Sequence, residues 1–239
     1  MLKRTLLLFL LMLCLPHAVL LAQVGLPRTD LAVGVNGGFV MNRVSFKPSI
    51  DQAFKNGMTL GLTARYTCEK YFGLICAFQG ELNYSQAGWQ ENITSSEDTY
   101  SRTIHYVQMP LLANLGFGRE RGGVKGFLVV GPQLGYCIGE KEKRGGEWSA
   151  HTLSLRPAGV TQQYDLKVER KFEYGITGGL GMDVSTKSGH HFIVEGRYFY
   201  GLSDIFSNSK KDPFGRSANG TIYVKVSYLF DILRTNIKS

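Results

Sequence analysis

Two histidines lie within a few residues of hydroxyl or carboxyl groups, as a hydrolytic site would require. His105 follows Asp98 and Ser101, and His151 follows Ser149. A serine hydrolase needs a histidine that deprotonates the serine hydroxyl and a carboxylate that orients the imidazole. Neither group forms a recognised catalytic motif, and a solvated loop histidine is the more frequent alternative. We therefore expect no enzyme, no catalytic residues and no bound cofactor.

Two cysteines flank the first short connection of the chain. Cys68 ends one predicted strand, and Cys76 lies early in the next with the same outward parity. A hairpin centred near Phe72 would place them opposite one another, within reach of a disulfide. The alternative is that both are small apolar residues facing lipid. Cys137 has no evident partner, so the cysteines predict no metal cluster.

Charged and amide residues recur on the polar side of several predicted strands. The interior polar cluster predicted from them comprises Arg65, Glu81, Gln133, Glu173, Glu195, Arg197 and Lys225. With Lys171 and Asp183 added, the inward charges are four positive and four negative. Buried charges are tolerated when they are paired, so this balance favours an ion-paired filling over an open channel. We expect Lys171 and Asp183 to lie near the mouths, in contact with water.

The clearest of these strands runs from Lys171 to Val184. Its even positions are apolar apart from Gly178, and its odd positions are charged, hydroxylic or glycine. Adjacent side chains of a strand point to opposite faces, so the pattern predicts one long strand with an apolar and a polar face. About nine to eleven tilted residues cross a bilayer as a strand. The same parity continues back to Tyr164, where we expect the strand to begin.

Further segments alternate in the same way. They are Leu31–Asn42, Met58–Cys68, Gly73–Ala87, Ile104–Phe117, Lys125–Ile138, His191–Leu202 and Thr221–Phe230. The connections between successive strands are alternately long and short, as in outer-membrane barrels with short periplasmic turns and longer outer loops. The sequence predicts an all-β fold, a closed eight-stranded antiparallel transmembrane β-barrel. The sheet has to close because every backbone N–H and C=O group in lipid must be hydrogen-bonded within the protein.

The N-terminus predicts export. A basic start at Lys3 and Arg4 precedes an apolar run, and Ala22 is a small residue before a polar one. This is typical of a signal peptide over residues 1–22, followed by a barrel domain over 23–239. The alternative, a signal anchor, is opposed by Pro16 and His17 in the apolar run. The formal charge is +8, but no basic stripe with interleaved aromatics occurs, so we expect no nucleic-acid partner.

Several strand sequences resemble those of a known family. HYVQMPLL at His105–Leu112, GPQLGY at Gly131–Tyr136 and EGRYFYGL at Glu195–Leu202 resemble motifs of the PorT-like outer-membrane β-barrel, or porin-family, proteins of Bacteroidetes. VSYLF at Val226–Phe230 is similar to the closing strand of that family, although the tail Asp231–Ser239 departs from its pattern. The resemblance implies an outer-membrane location and assembly by the barrel-assembly machinery. One branch of the family takes part in type IX protein secretion.

Together these patterns support one main hypothesis and two alternatives. The main hypothesis is a monomeric, non-enzymatic barrel in the outer membrane of a Gram-negative bacterium. It would contact outer-membrane lipid and act through its surface loops or protein partners. The alternatives are a component of the type IX secretion system, with secretion proteins as partners, and a rim hydrolase acting on lipids or peptides. The balanced interior disfavours a small passive pore.

Overall fold

The computed structural model describes residues 29–71, 73–119, 121–156, 161–164, 166–209 and 212–235. Its nine-stranded sheet comprises β1 (Asp30–Lys47), β2 (Gln52–Ala53), β3 (Lys55–Tyr71), β4 (Leu74–Glu91), β5 (Thr99–Gly118), β6 (Gly123–Gly145), β7 (Phe172–Ser185), β8 (His190–Gly201) and β9 (Arg216–Leu233). A short helix α1 (Ala150–Ser154) and a 3₁₀ turn at Gln162–Tyr164 lie between β6 and β7. In the described part of the chain, no helix is long and apolar enough to cross a membrane. The predicted signal peptide lies outside the described residues.

The long strands form a closed ring. Each pairs antiparallel with its neighbours in the chain, and β1 pairs with β9 over Leu31–Lys47 and Arg216–Leu233. Among the described residues, the short strand β2 pairs with the end of β4 alone and extends the sheet beyond the start of β3. Its residue Gln52 also bonds the backbone of Val44, at 3.1 Å from Val44 N and 2.8 Å from Val44 O. The predicted closed eight-stranded barrel is confirmed.

The distribution of side chains is the reverse of that in a water-soluble protein, with apolar residues outside and polar residues inside. Large apolar residues on the outer face of the ring are exposed, such as Phe39 at 75% and Leu180 at 65%. Polar and charged residues of the same strands are buried in the interior. Burying apolar surface is the main driving force for folding in water, so an apolar exterior requires lipid as its surroundings.

The two ends of the ring differ in the length of their connections. One end carries the turns at 72–73, 119–122 and 186–189, and the other end carries the connections at 48–54, 92–98, 146–171 and 202–215. Short turns lie on the periplasmic side of such barrels, which makes the other end the outer one. The predicted alternation is confirmed. The strands nevertheless run further into the outer connections than predicted, with β6 continuing to Gly145.

The predicted beginning of the long strand at Tyr164 is wrong. β7 begins at Phe172, and Tyr164 ends the 3₁₀ turn. Tyr164 and Val168 are buried in the outer end of the barrel, whereas the even positions of β7, such as Phe172, face outward and are exposed. A pattern of alternate apolar residues therefore arose here from a packed loop.

Candidate functional site

The middle of the barrel is filled by a compact ion-pair network. The Arg197 Nη2 atom donates to Glu81 Oε1 at 2.6 Å and to Glu195 Oε1 at 2.7 Å. Lys225 Nζ donates to Glu81 Oε2 at 2.6 Å. All four side chains are almost completely inaccessible to solvent. Two cations therefore balance two carboxylates in the interior, as the sequence predicted.

A second charged group closes the periplasmic end. Asp183 Oδ2 accepts a hydrogen bond from Arg65 Nη1 at 2.8 Å and lies 3.3 Å from Lys125 Nζ. His191 bridges Asp183 and Asp231, with both ring nitrogens 3.1 Å from a carboxylate oxygen. Asp183 is fully buried, so the expectation that it meets water is wrong: neighbouring cations replace the solvent. Lys171, by contrast, is exposed and lies just outside β7, as expected.

The interior towards the outer end is held by amide and hydroxyl groups. Glu173 accepts hydrogen bonds from Asn219 Nδ2 at 2.5 Å and Gln108 Nε2 at 3.2 Å. Gln133 accepts from Thr177 Oγ1 at 2.7 Å. The structure thus places all of the predicted interior polar residues inside the barrel. Arg65, Gln133 and Glu173 bond to other interior side chains and not directly to the Arg197 network. The interior of an eight-stranded barrel is just wide enough for side chains to fill.

An aromatic plug fills the outer mouth. Its buried members come from the inward faces of the strand ends and from the two longest outer connections, and they are Val44, Phe46, Ala87, Trp89, Tyr100, Ile104, Tyr106, Cys137, Tyr164, Val168, Ile205, Phe206 and Phe214. The rings of Phe46 and Trp89 lie 5.1 Å apart at an edge-to-face angle of 76°. Arg102 lies 5.2 Å from the Trp89 ring and donates to the Leu166 carbonyl at 2.6 Å. The outer loops are therefore packed into the barrel.

This plug is not predicted from the sequence, because strand alternation does not indicate how the outer connections pack. The available signal was the presence of Phe206 and Phe214 in a connection otherwise rich in serine, lysine and aspartate. Both side chains are fully buried, against Phe46 and Trp89. Large aromatic side chains in a surface loop have to find an apolar contact, and the barrel mouth supplies it.

A cleft of about 440 Å³ opens beside the plug on the outer surface, lined by residues that include Asp51, Glu91, Asn92, Arg156 and Tyr164. Glu91 accepts the Tyr164 hydroxyl at 2.6 Å. Burial raises the pKa of the Tyr164 hydroxyl above its ordinary value, and the neighbouring Glu91 carboxylate raises it further. Arg156 is fixed by Asp98, 2.9 Å away. The outer surface thus carries a preformed polar cleft whose side chains are held in position.

The candidate hydrolytic residues are not brought together. His105 Nδ1 lies 2.6 Å from the Tyr84 hydroxyl, and the two rings stack. Ser101 lies four residues away along β5, about 13 Å in a strand. Asp98 forms an ion pair with Arg156. Ser149 caps α1 by accepting a hydrogen bond from the Thr152 amide at 3.2 Å. Across the described residues, no group of three His, Cys, Asp or Glu could hold a metal ion.

The predicted alignment of Cys68 and Cys76 is wrong. Cys76 pairs with Glu69, and the register of β3 against β4 shifts between Thr67 and Glu69. The shift is a bulge at Cys68, which moves this residue out of line with Cys76. Both cysteines, which lie in the described part of β3 and β4, are present as thiols. The lipid-facing alternative fits Cys68, whose side chain is exposed.

Comparisons with known proteins found one matching family and several similar solved structures. Similar solved structures include Neisserial surface protein A (10% identity, TM-score 0.45, covering 84% of this chain and 97% of that one). They also include OprG of Pseudomonas aeruginosa (14%, 0.44, 87% and 95%) and Ail of Yersinia pestis with a heparin analogue (12%, 0.38, 84% and 99%). No curated protein matches the sequence. The family described as outer membrane protein beta-barrel domain matches residues 21–207, most of the chain, and the chain belongs to this family of outer-membrane barrels.

Proposed function

We propose that the protein is a non-enzymatic, non-conducting barrel that binds a partner at the outer surface of the cell. The observation that carries this proposal is the aromatic plug, which seals the outer mouth above an ion-paired interior. A solute crossing the barrel would have to displace both. The same plug fixes the outer connections, so the polar cleft beside it is ready to bind without an ordering cost.

The cleft has the chemistry of a polar recognition site. Glu91 and Arg156 offer opposite charges, and Tyr164 adds an aromatic surface. Each of these side chains is held by a neighbour, which reduces the entropy lost when a partner binds. A partner with both hydrogen-bonding and charged groups, such as the polar surface of a protein, matches this lining. The barrel then serves as a membrane anchor for the binding surface.

Site-specific photocrosslinking on intact cells tests this proposal. A photoreactive residue replaces Asn92, which is exposed at the cleft, or Ser188, which is exposed in the periplasmic turn at 186–189. We expect a discrete crosslinked species from position 92 and none from position 188. Crosslinks from position 188 alone would contradict a function at the outer surface. Heat-dependent gel mobility serves as the control that each variant is folded.

A second candidate function is that of a type IX secretion component. The motifs at His105–Leu112, Gly131–Tyr136 and Glu195–Leu202, which resemble PorT-like proteins, favour it. In that case the partner is an envelope protein of the secretion machinery, and deletion of the gene should abolish release of secreted cargo. Normal secretion in the deletion strain, together with an outer-surface crosslink, would leave the first proposal standing alone.

A further inference from the structure

A groove crosses the outward face of β1, β8 and β9 near the outer rim. Tyr200, Gly220 and Arg43 occupy one rung across these three strands, since Gly220 pairs with both of the other residues. Tyr200 and Arg43 are exposed. The groove has a volume of about 440 Å³, which is within the range of small-molecule sites. Val44 and Phe46 of the aromatic plug also line it, and it shares Arg43 with the cleft beside the plug.

The absence of side chains in the middle of the rung creates the groove. A Cβ atom at Gly220 would lie 3.0 Å from the Tyr198 hydroxyl, so the tyrosine leans over the glycine. The next outward residue of β9 is Ala218, which is also small. The opposite wall is the connection that carries Ser49 and Phe54, and this connection is anchored by the Gln52 hydrogen bonds to β1. The groove is therefore built from fixed backbone.

The charge of the groove is positive. Arg43 and Arg216 line it, and none of the described lining residues carries a carboxylate. Asp204 lies close enough to Arg216 to interact with its charge from outside the lining. Arg216 donates to the Tyr200 hydroxyl at 2.5 Å and lies 5.5 Å from the centre of its ring. The guanidinium of Arg43 makes no hydrogen bond or ion pair with any residue in the described ranges, and it is exposed. A guanidinium with free donors matches the geometry of a phosphate group.

The groove lies at the level of the outer-leaflet head groups. Below it, the outward residues of β9 are apolar and exposed, as Val224 and Val226 show. Tyr198 and Tyr200 stand at the upper edge of this apolar surface, where tyrosine rings commonly mark the membrane interface. Arg43 lies on the same rung as Tyr200, and Arg216, further out on β9, reaches the Tyr200 hydroxyl. The groove thus has an apolar lower part and a cationic upper part, in the orientation of a lipid molecule.

We propose that this groove binds a phosphate-bearing lipid of the outer leaflet. Its anionic head group lies between Arg43 and Arg216, and its apolar part runs down along Tyr198 and Ile222. The positive charge of the groove supports the placement of the anionic head group. The continuity of the groove with the lipid-facing surface supports the placement of the acyl chains. This groove adjoins the cleft at which we propose partner binding, and Arg43 lines both. The two proposals are tested by different measurements, lipid binding for the groove and crosslinking from position 92 for the cleft.

Native mass spectrometry of the full-length protein in detergent tests this assignment. The probes are phosphatidic acid with eight-carbon chains, the matching diacylglycerol and inorganic phosphate. We expect phosphatidic acid to bind at least about tenfold more tightly than diacylglycerol, because charged hydrogen bonds to phosphate are strong. An R43Q/R216Q variant should lose about tenfold in affinity for phosphatidic acid. A Gly220→Leu variant, which fills the groove, should lose a similar factor.

The matched control is K141Q/K143Q, which removes two exposed lysines of β6 and should bind phosphatidic acid within about twofold of the unaltered protein. Heat-dependent gel mobility shows that each variant is folded. Equal binding of phosphatidic acid and diacylglycerol would overturn the proposal, as would unchanged binding by R43Q/R216Q. Displacement of phosphatidic acid by an equal concentration of inorganic phosphate would show a free-anion site and would also overturn it.

Discussion

An Arg197→Met variant is expected to lose about 3–5 kcal/mol of unfolding free energy, the usual cost of removing one partner of a buried ion pair. Arg197 donates to Glu81 and Glu195, and both carboxylates are buried. Without it, Lys225 alone faces two negative charges. The measurement is urea-induced unfolding of the barrel in lipid vesicles, followed by tryptophan fluorescence and by gel mobility without heating.

A second substitution separates lost charge balance from lost packing. R197M/E195Q removes one cation and one anion and leaves the Glu81–Lys225 pair intact, so part of the lost stability should return. Lys141→Met, which removes an exposed charge from β6, should change stability by no more than about 0.5 kcal/mol. If Arg197→Met unfolded at the same urea concentration as the unaltered protein, the ion-paired interior would be refuted.

A Gly179→Ala variant is expected to lose at least about 2 kcal/mol, or to fail to assemble, because extra atoms in a packed interior force neighbouring groups apart. A Cβ atom at this inward position would lie 2.3 Å from the Gly196 carbonyl oxygen and 2.8 Å from Arg197 Cγ. The carbonyl belongs to the neighbouring strand and cannot rotate away. The same urea unfolding in vesicles measures the loss.

The adjacent residue provides the matched control. Gly178 faces outward, and the nearest atom to a Cβ there is the Val129 carbonyl oxygen at 3.9 Å. Gly178→Ala should therefore change stability by no more than about 0.5 kcal/mol. Equal effects of the two substitutions would mean that Gly179 does not lie as close to Arg197 and the Gly196 carbonyl as described. The assignment of inward and outward faces on β7 would then be wrong.

The strands and their faces could be predicted from sequence because each rests on local alternation. Arg65, Arg197 and Lys225 follow inward parity within regular strands, so their position in the interior followed directly. Period-two alternation also assigned Cys68 and Cys76 to the same face. It could not reveal the bulge between Thr67 and Glu69, since a bulge depends on the pairing of two strands and leaves no mark in the pattern.

The aromatic plug, the cleft and the groove could not be predicted either, because they too depend on contacts between distant parts of the chain. Phe206 and Phe214 reach the barrel mouth through contacts with Phe46 and Trp89, which are far away in sequence. The alternation at Tyr164 and Val168 predicts a strand, because a packed loop can carry apolar residues at the same alternate positions. Long-range packing, which alternation does not encode, decides between them.

Ion conductance across a planar lipid bilayer tests the claim that the barrel is sealed. The claim is that the membrane-spanning ring is closed and filled, by the Arg197 network in the middle and by the aromatic plug at the outer mouth. Protein whose insertion has been verified by heat-dependent gel mobility is expected to give no stepwise current at moderate voltage. Regular conductance steps from the inserted, unaltered protein would contradict the claim and would identify an open path through the barrel.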